Sequence, residues 1–233
     1  MRTAVLGLVA IAACGDDGGP PRVDGLRLTA PVGVVELVPV PGEALAITWR
    51  ADTDGADDVR LALTLEPDRP GDPIVPVADV ALADGAATWS LPSPPPRAGT
   101  FQLAARAYTG ELELAATRSA AIVLVQGVEF RDRALAFTAA DIERDVWITA
   151  TLGRPIDVAL VATPTGAAAP RYPLAHASIA SDLAPIGRVF TWTGVDEDGT
   201  AIPAGSYAVT VDVTPRDRPV GYTAGGLTVT WTP

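Results

Sequence analysis

Apolar residues in this chain come in short runs at every second position, and turn-forming residues close each run. In residues 59–65, Val59, Leu61, Leu63 and Leu65 fall on one face, while Arg60, Ala62 and Thr64 fall on the other. A period of two marks a half-buried strand, because successive side chains of a strand point to opposite sides of its sheet. Leu45, Ile47 and Trp49 repeat the pattern, as do Ala87, Trp89 and Leu91, then Phe101, Leu103 and Ala105, then Ala121, Val123 and Val125. Between the runs lie Asp54-Gly55, Pro70-Gly71-Asp72-Pro73, Asp84-Gly85 and Thr109-Gly110. The 22 Pro and 22 Gly suit many short strands and oppose long helices, since Pro removes a helical donor and Gly loses more backbone freedom on folding. A single helical turn is expected at residues 138–145, TAADIERD, where Thr138 is placed to cap and Asp141 follows three residues on. The chain reads as all-β.

Two of its segments superpose without a gap at an offset of 106 residues. Gly99-Thr100-Phe101-Gln102-Leu103 matches Gly205-Ser206-Tyr207-Ala208-Val209, and Ala121, Val123 and Val125 match Leu227, Val229 and Trp231. Trp89 and Trp192 each precede these blocks, with loops of different length. Two domains of one architecture are therefore expected, at residues 24–126 and 127–233. About seven strands in about 100 residues is what an immunoglobulin-like β-sandwich requires. The expected hinge, Gln126-Gly127-Val128, is too short for independent tumbling.

Residues 190–211, FTWTGVDEDGTAIPAGSYAVTV, carry Trp192, Gly194, Asp196, Gly199, Pro203, Ala204, Gly205 and Tyr207 at the spacing W-x-G-x-D-x-x-G-x-x-x-P-A-G-x-Y. This resembles the Ig-like domain of the flagellar hook-capping protein, with Thr193 where that family usually has aspartate. Trp192 and Tyr207 are expected as core anchors on adjacent strands, with a polar turn at 196–199 and a strand restarting after 203–205. Sandwiches host many roles, so the resemblance implies fold and not activity.

At the other end, residues 1–17 read MRTAVLGLVAIAACGDD. Arg2 precedes an apolar run at residues 4–13, about half of the roughly 20 residues a membrane-spanning helix needs. The run ends on the only cysteine, Cys14, after Ile11, Ala12 and Ala13. The segment resembles the signal peptide and lipobox of bacterial lipoproteins. That resemblance implies cleavage after residue 13 and acyl chains on Cys14, several of which anchor stably because each buried methylene contributes about 0.8 kcal/mol. Residues 14–23, rich in Gly and Pro, are expected as a tether. Gly15, where aspartate would favour inner-membrane retention, points to the outer membrane, on its periplasmic or surface face.

The chain holds 28 acidic against 17 basic residues, a net charge of −11 that becomes −12 when Arg2 leaves with the leader. Such a surface repels phosphate backbones, so no nucleic-acid partner is expected. With Cys14 acylated, no disulfide is available and the apolar cores must hold the fold. Asp52, Asp54, Asp57 and Asp58 crowd around Gly55 in ADTDGADD. They read as a solvated turn, with calcium, which takes six to eight oxygen ligands, as the alternative; no other cofactor is expected. A second acidic turn, Asp196, Glu197 and Asp198, belongs to the motif above.

His176, the only histidine, is expected on a surface loop. A triad could be composed from Ser178, His176 and Asp182, but no G-x-S-x-G elbow occurs. Trp49, Trp89, Trp192 and Trp231 fall in phase with aliphatic neighbours and read as core. Trp147 stands instead with Thr149 and Thr151, opposite Val146, Ile148 and Ala150. It is expected to cover the seam between domains, the alternative being a surface that stacks on a sugar or a protein partner. The chain is expected to be a noncatalytic structural or protein-binding module of the cell envelope, anchored to membrane by lipid. A carbohydrate or cell-wall binding module and an envelope hydrolase of unrecognised type are the alternatives.

Overall fold

A computed structural model describes residues 21–232, apart from 55–57, 139, 141–143 and 167–169. The first half forms β1 (Arg22–Ala30), β2 (Val34–Leu37), β3 (Ala44–Asp54), β4 (Arg60–Pro67), β5 (Val75–Ala81), β6 (Ala86–Ser90), β7 (Gly99–Thr109) and β8 (Leu112–Val125). The second half forms β9 (Gly127–Phe130), β10 (Ala134–Thr138), β11 (Arg144–Leu152), β12 (Ile156–Pro164), β13 (Tyr172–Ile179), β14 (Asp182–Trp192), β15 (Gly205–Pro215) and β16 (Tyr222–Thr232). Each half is a sandwich of a three-stranded and a five-stranded sheet, ordered β1-β3-β6 with β2-β8-β7-β4-β5, and β14-β11-β9 with β10-β16-β15-β12-β13. The two topologies are identical strand for strand. This is a tandem of Ig-like β-sandwiches, each with eight strands rather than seven. The extra strand arises because the first edge is broken, at 31–33 and again at 131–133, and its continuation crosses to pair in parallel with the last strand.

The duplication extends to the register. Phe101 faces Val123 and Tyr207 faces Val229, 106 residues on. On the other side of the five-stranded sheet the offset is 97: Leu61 pairs with Ala107 and Val80, and Val158 with Val213 and Ala177. The alternating residues supply the cores. Leu45, Ile47, Trp49, Leu61, Leu63, Leu65, Leu103 and Val123 are buried together in the first, and Val146, Ile148, Val158, Leu160, Trp192, Tyr207, Val229 and Trp231 in the second. Trp192 and Tyr207 do not lie on adjacent strands as expected. They face each other across the core from opposite sheets, with ring centroids 6.2 Å apart. The Tyr207 hydroxyl donates to the Pro203 carbonyl at 2.7 Å, a tyrosine corner at the start of its strand. Between Thr138, which closes β10, and Arg144, which opens β11, most of the expected helical turn lies outside the described residues.

Exposed sheet edges invite pairing with other chains, and three of the edge strands here, β5, β13 and β14, carry a proline. Pro76 in β5 and Pro173 in β13 sit at equivalent bulges of the two repeats, and Pro185 lies at the bulge in β14. Arg188 adds a charge on the core-facing side of β14, opposite Ile148. Replacing Pro76 and Pro173 together by valine restores two edge donors. The double variant is expected to self-associate with rising concentration in light scattering, where the parent stays monodisperse.

Candidate functional site

The two sandwiches meet through a single linking residue. Gln126 lies between β8 and β9 and is buried, and its backbone N–H donates to Leu37 at 2.8 Å. Its side-chain amide donates to Glu36 Oε1 at 2.9 Å and accepts from the Tyr222 hydroxyl at 3.0 Å, so one side chain ties β2 of the first domain to β16 of the second. The next residue must be glycine, because a Cβ on Gly127 would lie 2.5 Å from that of Ala98.

Glu36 is the centre of this seam. Its side chain is 5% exposed, and buried carboxylates persist only where donors replace their water. Here Oε1 also accepts from the Gly153 N–H at 2.7 Å, and Oε2 from Arg154 Nε at 2.6 Å. Arg154 further pairs with Asp217. Beside this hub, Arg218 Nη1 meets Glu43 Oε2 at 2.5 Å, and Arg97 bridges Glu129 at 3.1 Å. Burial, with the Glu36 charge adding to it, pushes the Tyr222 phenol far above its ordinary range, so it stays a donor. The loops at one end of domain two thus grip the base of domain one with arginines set against carboxylates. None of these residues stands out in the sequence as a site; the only local signal is a lone charge inside the apolar run VVELV.

A second feature lies on the outer face of the five-stranded sheet of domain two. Asp157, Ala159, His176, Ser178, Asp212 and Thr214 line an open groove of about 490 Å3. Its polar groups are partnered: Asp157 with Arg216 at 2.8 Å, Asp212 with Arg171 at 2.6 Å, and His176 Nδ1 with Glu197 Oε1 at 2.6 Å. The Arg216 hydrogen bond, then that of Ser178, holds the Asp157 carboxyl below its ordinary range. In domain one the equivalent register carries Arg60, Ala62, Asp79 and Tyr108. There Tyr108 donates to Asp79, and Arg60 Nε reaches the same carboxylate at 3.0 Å. Tyr108 thus crosses β4 at this register, where Thr214 does not, and the groove on domain one's outer face is displaced toward β7 and β8, over Glu66, Ala104, Arg106 and Arg118.

Cys14 and Asp57 lie outside the described residues. Asp52, Asp54 and Asp58 are exposed around the end of β3, and among the described residues no three acidic, histidine or cysteine side chains group to hold a metal. His176 is on the surface as expected, but on strand β13 rather than a loop, because the acidic turn at 196–199 docks against β13 through Glu197. Ser178 donates to Asp157 at 2.6 Å, not to His176. Trp147 does not cover the seam. It is 39% exposed on the outer face of β11, directly opposite Val189, which is 38% exposed, and the Arg131 guanidinium lies over its ring at 5.7 Å. The reason is register: the seam is built from strand ends and loops, whereas Trp147 sits in mid-strand on a sheet face turned away from the core.

No family model matches the chain, and no curated protein matches it in sequence. Among solved structures, Escherichia coli alpha-2-macroglobulin activated by porcine elastase is 14% identical over 91% of this chain and 22% of its own, with a TM-score of 0.45. Dimeric latent PorU from Porphyromonas gingivalis is 14% identical over 93% of this chain and 20% of its own, with a TM-score of 0.32. The chain thus spans about a fifth of the length of either, and the fold assignment rests on the strand pairing described above.

Proposed function

We propose that this protein is a lipid-anchored, noncatalytic structural or protein-binding arm of the bacterial cell envelope. The observation that carries the reading is the seam, in which Gln126 and Glu36 fix one sandwich on the other and leave the linker no free residue. A spacer or adaptor needs its domains held at a fixed angle, and this seam supports that reading. Strand β3 starts beside Glu43 at the seam and ends at Asp54, which pairs with Arg22 at the start of β1. Eleven strand residues span about 33 Å, so an anchor on Cys14 would join the chain at the end of domain one far from the seam, with domain two at the distal end.

The surface offered to a partner is Trp147 with Arg131 and Val189. Tryptophan and arginine are enriched at the energetic centres of protein interfaces, and Arg131 occupies a ring face that a sugar would otherwise stack on. Cys14→Ser is expected to move the protein from the membrane to the soluble fraction on cell fractionation; continued retention would overturn the anchor. Crosslinking in the native envelope, with Trp147→Ala beside the parent, then tests the binding surface, and a partner captured equally by both would remove it.

A further inference from the structure

We propose that the groove on the outer face of domain two is a binding site for a neutral saccharide. The chain contains its own control for this site. Two domains of identical topology and register place Tyr108 and Thr214 at the same position of the same strand; Tyr108 reaches across β4 to Asp79, whereas Thr214 leaves that stretch of its sheet uncrossed, and the open groove of domain one lies elsewhere, over Glu66, Ala104, Arg106 and Arg118. The floor is the small side chain of Ala159, which lies between His176 on one neighbouring strand and Asp212 on the other. The groove's volume, about 490 Å3, falls within the range of small-molecule sites.

The walls decide the ligand class. Asp157 and Asp212 each meet an arginine, and His176 Nδ1 is taken by Glu197, so a charged ligand would have to displace an existing partner to gain a contact. An anionic ligand also meets a chain of net charge −11. What remains is hydrogen-bonding capacity held in fixed places. Ser178 spends its proton on Asp157, and Asp212 accepts from Arg171 and Thr223, so the groups left for a ligand are the Thr214 hydroxyl, the second ring nitrogen of His176 and the spare lone pairs of Ser178, Asp157 and Asp212, over a methyl floor. Ring hydroxyls, each both donor and acceptor, complement that mixture, and the apolar face of a sugar suits Ala159. An extended peptide is disfavoured, because the adjacent edge strand β13 carries Pro173 at its bulge and cannot take up a regular added strand.

The test uses the full chain in detergent, titrated by calorimetry and NMR with maltotriose and with triacetylchitotriose. Saturable binding of either below about 10 mM is expected, with shifts at Ala159, His176 and Thr214. Thr214→Tyr, which sets the larger domain-one side chain at the equivalent position beside Asp157, is expected to weaken it by about tenfold or more. Ala159→Leu, an outward-facing change that raises the floor, should do the same if the first variant folds poorly. No saturable binding by either sugar, equal affinity in both variants, or binding of trialanine in place of the sugars would each overturn the proposal.

Discussion

Replacing Glu36 with alanine is expected to lower the stability of the protein by about 3 kcal/mol and to split its thermal unfolding into two transitions. The side chain is 5% exposed and accepts from three donors: the Gln126 amide, the Gly153 N–H and Arg154 Nε. Losing the carboxylate strands a buried amide and a backbone N–H at once. Arg154 retains Asp217 and is itself 31% exposed, which sets the estimate at the lower end of the cost of breaking a buried pair. For a chain of this size that corresponds to a fall of roughly 6–12 °C in Tm. The splitting follows from the cores, which are separate clusters joined only through the seam. Glu36→Gln should fall between, because the amide keeps an acceptor but sets its N–H2 against a donor. Differential scanning calorimetry of the three proteins checks the order, and a single undisplaced transition in Glu36→Ala would show that the hub does not couple the domains.

Trp192→Ala is expected to cost about 3–5 kcal/mol and to lower Tm by roughly 10 °C, with the loss confined to domain two. Trp192 is 2% exposed at the centre of an aromatic cluster, with ring centroids 5.8 Å from Phe137, 6.2 Å from Tyr207 and 6.2 Å from Trp231. These rings come from both sheets, so a cavity there cannot close by the shift of a single strand. The chemistry of the two neighbouring indoles separates packing from polarity. Trp192 Nε1 is buried with no hydrogen-bond partner among the described residues, whereas Trp231 Nε1 donates to the Ile202 carbonyl at 2.9 Å. Trp192→Phe therefore removes an unpaired donor along with its volume, and it should be tolerated better than Trp231→Phe, which orphans a buried carbonyl. Chemical denaturation of the three variants gives the comparison directly; a smaller loss for Trp231→Phe than for Trp192→Phe would contradict this account.

How far the sequence could be read differs between the fold and the sites. Val59, Leu61, Leu63 and Leu65 were readable as one buried face because alternation along a strand reports that strand's own two sides. The match of Gly99 with Gly205 and of Val123 with Val229 likewise became equivalent positions in two sheets of the same register. Trp147 was legible as outward for the same reason, although not as distant from the seam. The extra parallel strand in each domain was not legible, since β2 and β10 are four and five residues long and their pairing depends on where the broken edge crosses.

The sequence by itself thus determined the strands, their buried faces and the duplication, because each of these depends on the spacing of neighbouring residues. Only the tertiary structure decided the two candidate sites. Glu36 meets Gln126 and Arg154 across 90 and 118 residues, and the groove takes its walls from β12, β13 and β15, whose neighbours in space are strangers in sequence. A charged residue in a strand reads as solvated until a second domain closes over it. A threonine opens a groove only because the strands beside it place Ala159 beneath and His176 and Asp212 at the sides.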